Sequence, residues 1–184
     1  MHQIMTELHQ DHKHIARLLN ILRKQLELMS SDGDPDLMLM TDIACYFQHY
    51  PDLVHHPKED KVFEVFSERT DKAADIVEAL RKEHQQLPAV TVEFHNMLDA
   101  ALNDALFISR KELQQKIQAF IDIEIEHLKR EEAVLFPLIE KTLTDEDWQE
   151  LEQDIDKDAD PLFGVEVDDC YDNLYQIIKS QESS

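Results

Sequence analysis

The chain has 184 residues, enough for one domain with a full core, and its 40 acidic side chains outnumber 18 basic ones to give a formal net charge of −22. That charge repels phosphate backbones and anionic headgroups, so nucleic-acid binding and peripheral membrane binding are excluded as expected functions. Only 2 glycines argue against turn-rich β architectures, and 42% hydrophobic residues argue against a disordered acidic chain.

No stretch approaches the roughly 20 apolar residues of a membrane span, and Met1-His2-Gln3-Ile4 opens no signal peptide. Cys45 and Cys170 lie far apart and form no Cys-x-x-Cys, which suits free thiols in a reducing compartment better than a disulfide. A cytoplasmic protein is expected.

The periodicity predicts an all-α chain. Helix 1 is expected over about 3–30, where Leu8, His12, Ile15, Leu19, Leu22 and Leu26 recur at helical spacing. Ser30-Ser31-Asp32-Gly33-Asp34-Pro35 stops it. Helix 2 is expected over about 35–67, with a kink or break near Pro51 and with Pro57 also inside it. Helix 3 is expected over 71–107 with a kink at Pro88, and helix 4 from the N-cap Ser109 to Leu143. Thr144-Asp145-Glu146-Asp147 reads as the capped start of a short helix through about Asp156. A turn over Asp158–Gly164 and a last short helix over 168–179 follow. The expected architecture is an up-down-up-down four-helix bundle over 1–143, with 144–184 as a C-terminal helical extension packed on the same domain.

Two segments carry one pattern: His55-His56-Pro57-Lys58-Glu59-Asp60-Lys61-Val62-Phe63 and His127-Leu128-Lys129-Arg130-Glu131-Glu132-Ala133-Val134-Leu135. Each has a His, a carboxylate four residues on, a second carboxylate beside it, then Val and a large apolar residue. Four residues make one helical turn, so His and Glu project from one face with Cβ atoms about 5–6 Å apart. In the expected topology the early halves of helices 1 and 3 lie beside the late halves of helices 2 and 4. His12 is 21 residues before Gly33 and His55 is 22 after it, which puts them at nearly one height. His84, early in helix 3, joins the same layer. The metal candidates are therefore His12, His55, Glu59, His84, His127 and Glu131. Imidazoles with carboxylates suit iron or manganese, and zinc accepts the same atoms.

Either His–Glu pair alone would read as a surface pair on an acidic helix; their repetition and common height favour a site. His56 with Asp60 is a competing frame about 100° round the helix. The first frame is preferred because only it reproduces the offsets of helix 4. His9, His14 and His95 are expected outside the site. Tyr46 and Tyr50 are within reach of the centre as outer-sphere donors, with ordinary amphipathic tyrosines the preferred reading, and Glu132 and Asp60 are expected as outer or solvated carboxylates. The phenylalanines are first of all core.

On His12, His55 with Glu59, His84, and His127-Leu-Lys-Arg-Glu131-Glu132 followed by Leu135-Phe136-Pro137, the chain resembles the hemerythrin-like (HHE cation-binding) family over about residues 3–143. The resemblance implies a four-helix bundle holding a non-haem di-iron centre. In it the histidines bind terminally, Glu59 and Glu131 bridge two iron ions, and an oxo or hydroxo group completes the bridge. It also implies a small ligand: O2, NO or peroxide, in carriage, sensing, storage or stress response. The oxygen carriers of that family have a second His one turn after the helix-3 ligand. Here that position is Pro88, which implies an open position, a water or another ligand, and weakens the reading as a dedicated O2 carrier.

Two other classes compete. Glu124-x-x-His127 and Asp52-x-x-His55 resemble the Glu-x-x-His elements of ferritin-like carboxylate oxidases and iron-handling proteins, although that design wants an inward Glu where helices 1 and 3 offer His12 and His84. A metal-poor helical interaction module is the third. No catalytic triad or phosphate-cradling loop is present in the sequence, so any turnover would be the metal's own.

Overall fold

In the computed structural model the apolar stripe of the N-terminus forms α1, Gln3–Ser30, with Leu8, Ile15, Leu18, Leu19 and Leu22 buried. Residues 2–103, 105, 108–155 and 159–182 are described. All regular structure among them is helical. The α1 chain stops where Gly33 N–H donates back to the Leu28 carbonyl at 2.8 Å. The Asp36 carboxylate accepts from Leu39 N–H at 2.9 Å and caps α2, Leu37–His49.

Pro51 then breaks the ladder, because it has no N–H to donate. The break is a π-helical turn, Pro51–His55, in which the Tyr50 carbonyl accepts from both Val54 and His55 N–H groups. Helix α3, His56–Arg69, continues from it. The expected break near Pro51 is therefore present. A second π turn, Glu131–Leu135, divides what the sequence suggested was one helix from Ser109 to Leu143. The result is α5, Arg110–Arg130, and α6, Phe136–Thr142. Each π turn is followed two residues later by a proline, Pro57 or Pro137. A proline ring crowds the carbonyl four residues back, and a widened turn relieves that crowding. At Pro88 the helix runs on: α4 is continuous over Ala74–Leu102 with the proline inside it. Ser109 caps α5 as expected, accepting from Glu112 N–H at 3.2 Å.

Helix α1 packs on α5, α2 on α4, and α3 on both α4 and α6. The core comes in two apolar clusters. One gathers Ile15, Leu22, Ile43, Phe47, Phe94 and Phe120. The other gathers Leu8, Phe63, Phe66, Leu80, Phe136 and Trp148. Along α1 the first cluster begins at Ile15 and the second ends at Leu8, and His12 lies between them; His127 likewise falls between Ile121 and Leu135. A polar layer thus separates two apolar ones.

The C-terminal segment closes over both. The capping box of Thr144 and Asp147 starts α7, Asp145–Asp154, whose Trp148 and Leu151 join the second cluster. Asp160 accepts from the Tyr46 hydroxyl at 2.9 Å and from the N–H groups of Leu162 and Phe163. A Cβ at Gly164 would meet the Asp160 carbonyl at 2.3 Å, so that turn requires glycine. Helix α8, Asp172–Glu182, adds Leu174 and Ile178 to the first cluster. The expected helix ends at 107 and Asp156, and Asp158 of the expected turn, lie outside the described residues. Cys45 and Cys170 are free thiols. No described helix is long and apolar enough to cross a membrane.

Candidate metal centre

The polar layer draws on four helices and both π turns. His12 comes from α1, His55 from the first π turn, His56 and Glu59 from α3, His84 from α4, His127 from α5, and Glu131 from the second π turn. All seven are at most 6% exposed. Such burial is costly unless the groups are paired or hold a cation.

The two carboxylates lie between the imidazoles. Glu59 Oε1 is 3.1 Å from His12 Nε2 and 3.3 Å from His55 Nε2, while its Oε2 is 3.5 Å from His84 Nε2. Glu131 mirrors this, with Oε2 3.4 Å from His12 Nε2 and Oε1 3.3 Å from His84 Nε2 and 3.4 Å from His127 Nε2. Ligand atoms of His56, Glu59, His84 and His127 fall within 4.8 Å of one another, and so do those of His12, His55 and Glu59. Glu59 belongs to both groups.

Outside the layer, carboxylates back the rings. His12 Nδ1 meets Glu132 at 2.8 Å, His55 Nδ1 meets Asp11 at 3.1 Å, His84 Nδ1 meets Asp60 at 2.9 Å, and His127 Nδ1 meets Glu83 at 3.0 Å. His56 Nδ1 lies 3.5 Å from Asp52 Oδ1. A carboxylate on Nδ1 fixes the proton there and leaves the Nε2 lone pair facing inward. Phe136 stacks on His12 with centroids 5.0 Å apart, and Phe63 on His84 at 5.7 Å, which fixes the ring planes.

Electrostatics describe a centre short of positive charge. Burial alone pulls His12 down, but Glu132 and Glu59 outweigh it and hold His12 up at about 10. His84 is likewise raised to about 10, where Asp60 and Glu131 overcome burial, and His55 to about 9, through Glu59 and Asp11. His56 goes the other way, held well below the usual 6.5 by burial and by His84 and His55 beside it. Burial pushes Glu59 up, yet His55 and His12 keep it well below the ordinary glutamate value. His55 Nε2, His127 Nε2, Glu59 Oε2 and Glu131 Oε2 are buried without a hydrogen-bond partner. Imidazole and carboxylate donors converging on orphaned buried atoms fit divalent transition-metal ions.

The six residues singled out in the sequence come together. The two frames at His55 and His56 prove not to be alternatives, because both rings turn inward and only Asp60 of the second frame lies outside. His56 also occupies the side of the layer near His84, with ring centroids 4.6 Å apart, where Pro88 offers no donor. Tyr46 and Tyr50 are buried, with Tyr50 donating to Asp11 at 3.3 Å. His9 bonds Glu132 at 2.9 Å, and His14 stacks on Phe163 at 4.0 Å. Asp11 and Glu83 went unnoticed in the sequence. The signal was there: Asp11, Glu83, Asp60 and Glu132 each adjoin a residue of the layer, and each backs an imidazole from a different element. Two further carboxylates, Asp52 and Glu124, are buried beside the layer with unpartnered oxygens. Burial raises Asp52 to about 6; burial, then Asp52 and Glu131, raise Glu124 to about 8.

Comparison with curated proteins and with solved structures finds no match. The family model for the hemerythrin HHE cation-binding domain matches residues 3–139, a span that contains every residue of the layer. On that match the chain belongs to the hemerythrin HHE cation-binding family.

Proposed function

We propose that this chain is a non-haem di-iron protein that binds or reacts with a small molecule, O2, NO or peroxide, within a cytoplasmic sensing, storage or stress-response role. The observation that carries the reading is the pair Glu59 and Glu131, each of whose two oxygens face imidazoles on opposite sides of the layer. That is the disposition of carboxylates that bridge two ions. His12 and His55 would serve one ion, and His56, His84 and His127 the other. Residues 1–143 would form an up-down-up-down four-helix bundle around them, with 144–184 as an extension on the same domain.

Bound there, iron would supply redox change and open coordination for a diatomic or peroxidic ligand. The chain's own part is positional. Asp11, Glu132, Asp60 and Glu83 keep protons on the outward Nδ1 atoms and aim the inner nitrogens. The apolar clusters on either side, ending in Leu8, Phe136 and Phe63 on one and Ile15 and Phe47 on the other, keep bulk water from the layer.

A second reading, a ferritin-like carboxylate protein that oxidises or stores iron, is favoured by one observation: Asp52 and Glu124 are buried with unpartnered oxygens. The deciding experiment is metal analysis of anaerobically reduced protein, with its optical spectrum before and after air and then NO. Two irons per chain with near-ultraviolet charge-transfer bands, insensitive to Asp52→Asn with Glu124→Gln, support the first reading. Iron uptake beyond two that those substitutions abolish supports the second. Zinc or no metal, unchanged by His127→Ala, overturns both in favour of a helical interaction module.

A further inference from the structure

Along the seam between α1 and α5 runs an open groove of about 850 Å³, on the outer side of His12. Its floor is apolar, made by Ala16, Leu19, Ile125 and Leu128. Ala16 is exposed and Leu19 is buried, so a small side chain leaves the floor open above a packed core. That size lies within the roughly 300–1,000 Å³ of pockets that take small organic ligands.

The charge on its rim runs against the rest of the chain. Lys13, Arg23 and Lys129 line the groove, whereas its one carboxylate, Glu132, is bonded to His9 and His12. Lys129 pairs with Glu126 at 2.7 Å, but Lys13 and Arg23 form no ion pair among the described residues. In a chain with 40 acids and 18 bases, an apolar strip edged by cations is a local reversal of the surface field.

The groove's axis sets the length of what it can hold. Glu132 meets His9 and His12 near the start of α1, and Arg110 donates to the Met29 carbonyl at 3.0 Å near its end, so the two helices run antiparallel. Lys129 therefore lies toward the Lys13 end, with Arg23 ten residues along α1 from Lys13, or about 15 Å. With a cation at each end, a single anionic head group fits at either one, and its apolar body lies along the floor between them.

We propose that this groove is a binding site for an amphipathic organic anion, a carboxylate or sulfonate with an aliphatic or aromatic body. Lys13 and Arg23 supply the charge and Ala16, Leu19, Ile125 and Leu128 the apolar contact. A nucleic acid or an anionic lipid surface would meet the net charge of −22 beyond the groove and be repelled. A small anion meets only the rim. The site does not depend on which metal fills the neighbouring centre.

The test is fluorescence titration of the full-length, metal-loaded chain with anilinonaphthalene sulfonate, displaced by decanoate or by decanol. One saturable site is expected, emptied by decanoate and poorly by decanol. Lys13→Glu with Arg23→Glu should weaken decanoate on the order of tenfold, as loss and reversal of two exposed charge contacts would. Ala16→Trp should fill the floor and abolish binding, with circular dichroism unchanged in both variants. Decanol displacing as well as decanoate, or charge reversal without effect, overturns the proposal. So does sedimentation showing that Ala16→Trp dissociates a dimer, which would make a second copy the occupant.

Discussion

His55 and His56 are adjacent in the chain and both face the polar layer, with ring centroids 5.6 Å apart. In an ordinary helix neighbouring side chains diverge by about 100°, so one of the two would turn away. The π turn Pro51–His55 ends at His55 and α3 begins at His56, and the two rings meet different sets of ligand atoms around Glu59. His55 joins His12 on one side of Glu59, and His56 joins His84 and His127 on the other.

His56→Ala should therefore lower metal affinity by at least the 10–100-fold that loss of a supporting group costs in metal sites. His95→Ala, at a half-buried histidine eleven residues beyond His84 on α4, should leave it unchanged. Chelator competition on the two variants measures the contrast. Equal affinities would remove His56 from the centre.

The outer carboxylates carry a separate expectation. Asp11→Asn and Glu132→Gln remove the charge that holds the proton on His55 Nδ1 and His12 Nδ1 while keeping the shape of the side chain. Each should cost on the order of 10–100-fold in metal affinity with little change in the thermal midpoint of the metal-free chain. A large drop in midpoint with affinity intact would mean that these residues act on the fold alone.

Metal removal should destabilise the folded chain. Glu59, Glu131, His55 and His127 are buried with unpartnered atoms that a cation would engage. An ion that binds only the folded state adds about 2.7 kcal/mol when present at a hundredfold excess over its Kd. Thermal unfolding with iron, and again after exhaustive chelation, reads the difference. No shift would show that the layer is stable without a cation.

At the C-terminal segment, Thr144→Ala should cost about 1 kcal/mol through loss of the α7 cap. The Arg69 guanidinium, bonded to Asp147 at 2.6 Å, holds that carboxyl below its ordinary 3.8, with help from Thr144. A carboxyl depressed on folding stabilises fully above its unfolded value, and the contribution is lost as the pH falls through the lower folded value. Asp147→Asn should accordingly destabilise at neutral pH, with an effect that declines as the pH falls below 3.8 and vanishes below the lower folded value. Denaturant midpoints at neutral and acid pH test the sign.

The order and type of the long elements followed from local signals. Apolar spacing marks α1, Ser109 caps α5, and Pro51 interrupts α2, all within a few residues of chain. The paired His-x-x-x-Glu segments were legible for the same reason, since one helical turn brings those residues onto a common face. The second π turn was not. Pro137 follows that π turn whereas α4 runs unbroken through Pro88, so a proline in the sequence does not by itself tell which hydrogen-bond register its helix takes.

The sequence by itself determined that the chain is helical and acidic, and that His12, His55, Glu59, His84, His127 and Glu131 share a pattern suited to metal. Periodicity and charge are properties of short segments, so they survive without knowledge of neighbours. Only the tertiary structure decided that His56 turns inward with His55, that Asp11, Glu83, Asp60 and Glu132 each back a ring from another element, and that Lys13 and Arg23 edge an apolar groove. Those are relations between helices far apart in the chain. Their geometry is set by helix phase and packing, which no local pattern encodes.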